Sequence, residues 1–401
     1  MGRQSHTVLA LMDNYSDIRP YNDPEVSLVL QRLLADPELL DTMAKLRLPR
    51  LQSRFPALLR PLVRWVLRRQ LLGVTTVRQF QHIVKTYMDK MIETTTASFT
   101  VSGLENIDLG KPWLLISNHR DIALDPAFVN YAIYRNGGDT VRIAIGDNLL
   151  AKPFAADLMR LNKSFIVKRS ATAPRQMLAA FKNLSAYIRH SLNDERATVW
   201  LAQREGRAKD GIDSTEPAII KMLCMSLRKG EEDFGEFIQG LGIVPVAISY
   251  EWDPCDAAKA RELSLRETQG SYLKAEFEDL QSIGMGISGQ KGRVHVHFGE
   301  PLTADFTSPI EVAAAVDAQI IEQYRLQPSN IWAYKQQCGN DDWRRLPSEV
   351  LTELGDLGDA SRAAFEQRMA TIPADFREKA VAIYANAVIA KLRRLPSAES
   401  I

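Results

Sequence analysis

Between residues 95 and 305 the sequence alternates short apolar segments with longer amphipathic ones, and this alternation restricts the fold more than any other feature. The apolar segments have the length and composition of buried β-strands, and the segments between them have the apolar spacing of helices. The predicted strands are residues 112–118, 140–145, 164–169, 197–203, 243–250 and 293–299. Such alternation favours an α/β fold in which a mostly parallel sheet carries helices on both faces.

Helical patterns occupy both ends of the chain. The N-terminal part contains two Asp-Pro helix starts, followed by two longer segments with helical apolar spacing. The C-terminal part is again helical and rich in charged residues. We therefore predict three regions: a helical N-terminal region over residues 1–94, an α/β domain over 95–305 and a helical C-terminal region over 306–401.

Composition and charge exclude several classes of protein. The net charge of +1 over 401 residues gives no reason to expect a nucleic acid as partner. The 3 cysteines are far apart and odd in number, so neither a disulfide framework nor a zinc cluster is predicted, and a reducing cytoplasm is the expected location. The first residues match neither a signal peptide nor a myristoylation site, and no segment has the roughly 18 uncharged apolar residues of a transmembrane helix.

The segment SNHRDIALDP, residues 117–126, permits two interpretations. Its HRD matches the start of a protein-kinase catalytic loop, and DFG and GMGISG occur later in the chain. A kinase, however, needs its glycine-rich loop before HRD, and it needs an Asn where this chain has Pro126. We therefore reject the kinase interpretation. In the other interpretation His119 is a general base and Asp125 is the carboxylate that orients it.

Three further blocks follow this segment along the chain. They are KSFIVKR at 163–169, REGRAKDG at 204–211 and IVPVAISY at 243–250. Together with NHRDIALD they resemble, in order, the four blocks of the glycerophosphate acyltransferase superfamily, which includes glycerol-3-phosphate and lysophosphatidate acyltransferases. The resemblance spans about residues 95–305.

The chain departs from the family pattern in two places. The family separates its His from its Asp by four residues, whereas five lie between His119 and Asp125. The family places one residue between the Glu-Gly of its third block and the following Arg, whereas Glu205 and Gly206 run directly into Arg207. The second departure also permits an alignment of GRAKDG with the glycerol-3-phosphate type of third block, which moves Glu205 out of the usual position.

The resemblance implies an enzyme of phospholipid biosynthesis. It would move a fatty acyl group from acyl-CoA or acyl-carrier protein to a hydroxyl of a glycerophosphate-type acceptor, with His119 as general base and Asp125 as its partner. The acceptor hydroxyl is itself the nucleophile, so neither a cofactor nor a covalent enzyme intermediate is expected. Cationic side chains suit the phosphate, and glycines let the backbone approach it. The predicted phosphate-binding residues are Arg169, Gly206, Arg207, Lys168 and Lys209.

Alternatives stay open for function and for single residues. The same fold could acylate a different lipid precursor, such as that of an ornithine lipid, or serve as a non-catalytic lipid-binding module. Asp125, directly before Pro126, could be a helix N-cap only, and the two arginines could be ordinary surface residues. His295 and His297 alternate on one strand, but no third ligand is evident, so no metal is predicted.

A basic segment precedes the α/β region. No acidic residue lies between Asp41 and Asp89, and within this stretch Arg60, Arg64 and Arg68 recur every fourth residue beside Trp65. A basic amphipathic helix with a Trp is typical of proteins that bind a membrane surface. It predicts peripheral contact with anionic lipid on the inner face of the cytoplasmic membrane. The alternative is a helix that covers the catalytic domain and keeps its arginines in solvent.

Overall fold

A computed structural model of the protein describes residues 14–48, 51, 54–150, 152–170, 173–228 and 230–395. The strands are β1 Thr96–Ser102, β2 Leu114–Ser117, β3 Arg142–Gly146, β4 Ser164–Val167, β5 Val199–Ala202, β6 Ile243–Tyr250 and β7 Gly292–Phe298. The first helices are α1 Asp23–Ala35, α2 Pro37–Arg47, α3 Pro56–Gln70, α4 Val77–Thr95, α5 Leu124–Arg135, α6 Pro153–Leu161, α7 Pro174–Asn193 and α8 Pro217–Leu223. They are followed by α9 Phe234–Gly240, α10 Asp256–Gln269, α11 Glu278–Ser288, α12 Pro309–Gln323, α13 Pro328–Cys338, α14 Ser348–Glu353, α15 Asp359–Ala370 and α16 Ala374–Leu392.

The strands form one sheet in the order β1-β7-β6-β2-β5-β3-β4. Strand β2 pairs in parallel with both β5 and β6, and β5 pairs in parallel with β3. Strand β7 is antiparallel to β6, and β1 is parallel to β7. Every residue of β2 and β6 is buried, which is expected of central strands covered on both faces. The structure thus confirms the predicted α/β fold with a mostly parallel sheet.

Sequence periodicity found most of these elements. The six predicted strands agree with the observed ones to within 2 residues at each end. Strand β1 was not predicted, because 4 of its 7 residues are polar and it follows α4 without a turn. Helices α10 and α11 were missed as well, and the GMGISG segment lies at the end of α11.

The described residues divide into two compact units. Unit 1 contains the described residues up to Val77 together with Ile145–Ile188, and unit 2 contains Arg78–Ala144 and the described residues from Arg189 onward. Strand β3 spans the boundary between them. The predicted boundaries at residues 94 and 305 follow the change of secondary structure rather than this division, and they stay a prediction.

In unit 1 the helices α1, α2 and α3 pack against one another. Helix α2 begins as the sequence predicts, because the Asp36 side chain accepts a hydrogen bond from the backbone N–H of Leu39 at 2.9 Å. The inner face of α1 is apolar, and its Val26 and Val29 are fully buried. Burial of this face holds the three helices together.

In unit 2 the C-terminal helices enclose an apolar core of their own, which includes Ile331, Phe365 and Tyr384. Helix α16 packs against α13 and also against α10, which follows strand β6. The C-terminal helices are therefore in direct contact with the α/β part of the chain. No helix among the residues that the structure describes is long and apolar enough to cross a membrane.

Candidate active site

The candidate site forms where two parallel strands end side by side. Ser117, the last residue of β2, lies opposite Ala202, the last residue of β5. The segments that follow them meet, because the backbone N–H of Ala208 donates to the carbonyl oxygen of His119 at 2.7 Å. The structure therefore brings the His119 block and the 204–211 block together at the carboxyl edge of the sheet, where α/β folds place their ligands.

His119 and Asp125 form a hydrogen-bonded pair. The distance from His119 Nδ1 to Asp125 Oδ2 is 2.9 Å, and 13% of the His119 side chain is exposed while Asp125 is fully buried. The His119 ring also meets the ring of Trp200 edge to face, with 5.9 Å between centroids. Because the carboxylate occupies Nδ1, the other ring nitrogen, Nε2, is the one that can bond to a further group.

The Asp125 carboxylate accepts four hydrogen bonds. Its Oδ2 accepts from His119 and from the backbone N–H groups of Arg120 and Asp121 at 2.5 and 2.8 Å. Its Oδ1 accepts from the Tyr250 hydroxyl at 2.6 Å. A buried carboxylate with this many donors is held in one orientation.

A different carboxylate serves the start of helix α5. The Asp121 Oδ1 accepts from the backbone N–H groups of Ala123 and Leu124 at 3.0 and 2.9 Å. The helix starts at Leu124, so Asp125 lies in its first turn, and the N-cap alternative for Asp125 is wrong. Burial, and then the nearby charge of Asp125, raise the pKa of Asp121. A methyl group at Gly286 would come within 2.3 Å of Asp121 Oδ2, so α11 approaches this turn closely.

Arg120 points into the protein. Its guanidinium donates to Asp213 Oδ2 at 2.6 Å and to the Gly211 carbonyl at 3.1 Å, and it lies over the ring of Tyr324. Burial alone would lower the pKa of Arg120, but Asp213, Tyr324 and Asp253 together outweigh it and raise the pKa above its ordinary value. Arg120 thus fixes the end of the 204–211 block, a role that no sequence pattern indicated.

The 204–211 block gives its predicted ligands different surroundings. Gly206 is exposed with φ of +73°, and no atom lies within 4 Å of where a Cβ would be, so the backbone is open here. Arg207 is half-buried, with one long contact of 3.4 Å to the Ser282 hydroxyl. Lys209 is ion-paired with Glu262. Burial lowers the pKa of Lys209, and the Glu262 contact offsets this only in part.

Lys168 and Arg169 follow β4 in unit 1. Lys168 is exposed and ion-paired with Asp17, and the backbone N–H of Arg169 donates to Asp147 Oδ1 at 3.1 Å. Their assignment to the acceptor phosphate stays a prediction.

The two histidines of β7 contact hydroxyl groups of β1. His295 lies 2.8 Å from Thr100 Oγ1 and 2.9 Å from Ser102 Oγ, and His297 Nδ1 lies 2.8 Å from the same Ser102 oxygen. Burial lowers the pKa of His295 to about 4, so this ring is neutral at physiological pH. Among the described residues, no group of three or more His, Cys, Asp or Glu side chains converges on a metal position.

Comparison with known proteins identifies the domain that carries this site. The family model named Acyltransferase matches residues 98–249. Among solved structures, the 1-acyl-sn-glycerophosphate (LPA) acyltransferase PlsC from Thermotoga maritima is 15% identical with a TM-score of 0.36, over 71% of this chain and 95% of that chain. A comparison with curated proteins found no match. The matched segment contains His119, Asp125 and Arg207, so the candidate site lies in the part of the chain that is similar to the Acyltransferase family.

Proposed function

We propose that this protein transfers a fatty acyl group from acyl-CoA or acyl-carrier protein to a hydroxyl of a glycerophosphate-type acceptor. The observation that carries the proposal is the His119–Asp125 pair at the carboxyl edge of the sheet, inside the matched acyltransferase domain. The partly exposed imidazole backed by a buried carboxylate is the arrangement that a general base requires.

In the proposed reaction His119 Nε2 takes the proton of the acceptor hydroxyl as its oxygen attacks the thioester carbonyl. The new C–O bond gives a tetrahedral intermediate, which collapses as the C–S bond breaks. The imidazolium returns the proton to the leaving thiolate. Asp125 keeps the other ring proton on Nδ1 and stabilises the imidazolium charge.

The acceptor phosphate needs cations that are not already satisfied within the protein. Arg207 fits best, because its one hydrogen-bond contact in the described structure is a long one to a neutral hydroxyl and it follows the open backbone at Gly206. The Asp253 carboxylate is near enough to feel its charge but makes no ion pair with it. Lys209 fits less well, because Glu262 already neutralises it. Arg169 and Lys168 stay candidates from the sequence pattern.

A panel of acceptors tests the proposal. Purified protein is incubated with labelled acyl-CoA or acyl-carrier protein and with glycerol 3-phosphate, lysophosphatidate or a lyso-ornithine lipid, and the products are separated by mass. We expect acylation of a phosphorylated acceptor. His119→Ala should lower kcat by about 10²- to 10⁴-fold, the usual contribution of a positioned base, with little change in acceptor KM.

His82→Ala is the matched control, since His82 is exposed and has only a 3.4 Å contact with Tyr134. Full transfer by His119→Ala would exclude His119 as the base. If only the lyso-ornithine lipid were acylated, the acceptor would be an ornithine-lipid precursor and not a glycerophosphate. If the unmutated protein bound lipid but transferred no acyl group, the protein would be a non-catalytic lipid-binding module.

We also propose peripheral contact with a membrane, through a different face of α3 from the one that the sequence indicated. Arg60 pairs with Asp41 at 2.6 and 2.9 Å, and Arg64 donates to the Leu34 carbonyl, so these two arginines bond within unit 1. The exposed face is apolar instead. Leu58 is 72% exposed and Trp65 is 55% exposed. The exposed apolar side chains of this face are Leu58, Leu62, Trp65 and, just past the helix end, Leu72.

The spacing of Leu58, Leu62 and Trp65 places them along one side of the helix. Arg69 lies over the Trp65 ring, 5.2 Å from its centroid, and so adds a cation beside this apolar row. An apolar row with Trp and flanking cations fits the boundary between lipid headgroups and acyl chains.

A further inference from the structure

We propose that the Tyr250 hydroxyl is a positioning group for the His119–Asp125 pair. The inference rests on the proposed function for its chemistry. The hydroxyl would hold the Asp125 carboxylate in the orientation that aims His119 at the acceptor. The chain of contacts runs from Tyr250 Oη to Asp125 Oδ1 at 2.6 Å and from Asp125 Oδ2 to His119 Nδ1 at 2.9 Å. Tyr250 is the last residue of β6, so a residue of the fourth sequence block reaches the first.

The two oxygens of Asp125 differ in what holds them. Oδ2 takes all three of its donors from the segment just before it, namely His119, Arg120 and Asp121. Oδ1 has the Tyr250 hydroxyl as its donor, from a strand 125 residues further along. The three neighbouring donors hold Oδ2 in place. The Tyr250 hydroxyl holds Oδ1 and so keeps the carboxylate from rotating about Oδ2. A fully buried carboxylate oxygen without a donor would bear a desolvation cost.

The tyrosine itself has little freedom. Its side chain is buried, and its ring packs against Phe128 of α5 with 5.9 Å between centroids. Its backbone lies in the ladder between β6 and β7, opposite Val294. The hydroxyl therefore points at Asp125 from a position that the sheet fixes, which is what orientation of a catalytic pair requires.

The charge on the carboxylate depends on this contact as well. A donor on Oδ1 draws negative charge away from Oδ2, so the hydrogen bond that His119 makes is weaker with Tyr250 present than without it. Tyr250 in turn stays protonated. Burial, followed by the charge of Asp125, raises the pKa of Tyr250 well above its ordinary value, so it remains a donor throughout the pH range of an assay.

Tyr250→Phe tests the inference, because it keeps the ring that packs on Phe128 and removes only the hydroxyl. Tyr131→Phe is the matched control. Tyr131 lies on the same helix as Asp125 but outside the site, and its hydroxyl also donates to a carboxylate, that of Asp89, at 2.7 Å. The first measurement does not depend on activity. In proton NMR spectra the His119 Nδ1–H signal should move downfield in Tyr250→Phe and stay in place in Tyr131→Phe. An unmoved signal in Tyr250→Phe would overturn the inference.

The second measurement is acyl transfer. Tyr250→Phe should lower kcat by about 10- to 100-fold, the size of a hydrogen bond to a charged group, and leave the acceptor KM within about twofold. In an Asp125→Asn background the same change should cost little further, because the two residues act as one unit. Losses that multiply independently, or a change in KM alone, would contradict a positioning role. If the unmutated protein transfers no acyl group, the proposed function fails. The NMR measurement still shows whether Tyr250 acts on His119 through Asp125.

Discussion

At the scale of single residues, the sequence left two roles open for Asp125. It could orient His119 despite the longer spacing, or it could only cap a helix. The structure separates the two tasks between neighbouring carboxylates: Asp121 caps the helix and Asp125 bonds to the imidazole. Sequence alone could not assign these roles, because both residues are aspartates at the start of one helix.

Asp125→Asn tests the assignment with the least change of shape. The amide can keep its oxygen toward the Arg120 and Asp121 N–H groups and turn its nitrogen toward the Tyr250 oxygen. It no longer stabilises an imidazolium, so kcat should fall by about 10²- to 10⁴-fold without unfolding. Asp121→Ala should instead lower the thermal midpoint, because the N–H groups of Ala123 and Leu124 lose their acceptor, and it should spare most of the activity. Circular dichroism and initial rates distinguish the two, and equal kinetic losses would contradict the separation.

Arg207 and Lys209 offer a second test at this scale. Arg207→Gln should raise the KM for a phosphorylated acceptor by about 10- to 100-fold, because charge-assisted hydrogen bonds to the phosphate are lost. Lys209→Gln should change KM little and lower stability, because it leaves Glu262, whose side chain is only 4% exposed, without its Lys209 partner. Measured KM values and urea midpoints for both variants would show a reversed pattern if Lys209 were the ligand.

At the scale of elements, apolar runs predicted the strands because buried strands in a parallel sheet are apolar on both faces. The same logic failed for β1, which lies at the edge of the sheet and alternates with polar residues. It also failed for the orientation of α3. Periodicity showed that this helix has an arginine stripe and an apolar stripe, but which stripe meets α1 and α2 depends on partners such as Asp41 and the Leu34 carbonyl. Those contacts are not visible in sequence.

The exposed row of α3 can be tested with vesicles. Leu62→Ser together with Trp65→Ser should lower the fraction of protein that sediments with liposomes at least several-fold, at low and at high salt, because the lost contribution is apolar. Arg68→Gln is the comparison, since Arg68 is exposed on the arginine side. If Arg68→Gln lowered the sedimenting fraction more, and only with anionic lipid at low salt, the arginine stripe would be the face that contacts the membrane.

At the scale of the molecule, the C-terminal helices are tied to the candidate site through buried polar contacts within unit 2. Arg368 of α15 donates twice to Asp256 at 2.9 Å, and the Tyr384 hydroxyl of α16 donates to the same carboxylate at 2.7 Å. Lys259, which pairs with Asp253, donates to the Arg120 carbonyl at 2.6 Å, next to His119. The sequence predicted a helical C-terminal region, but this connection joins residues too distant along the chain for any local pattern to reveal.

Arg368→Met should therefore destabilise the whole of unit 2. It leaves the buried Asp256 without its cation, at a cost of about 3 kcal/mol in the free energy of unfolding. Arg362→Met, on the same helix, removes an exposed pair with Glu366 and a 6.0 Å contact with the Trp332 ring, and it should change the free energy of unfolding by less than about 1 kcal/mol. Urea denaturation followed by circular dichroism and by residual acyl transfer should give coincident curves. Activity that survives after the C-terminal helices unfold would contradict the coupling.

The split of work between Asp121 and Asp125 also affects how relatives of this chain can be recognised. A search pattern that demands four residues between histidine and aspartate passes over this sequence, in which five residues separate His119 from Asp125. A better descriptor asks for a histidine just after a buried strand and a carboxylate in the first turn of the next helix, and lets the interval vary. Genomes scanned with such a descriptor should yield further sequences in which one aspartate accepts from the first N–H groups of the helix and a second, in its first turn, bonds to the histidine.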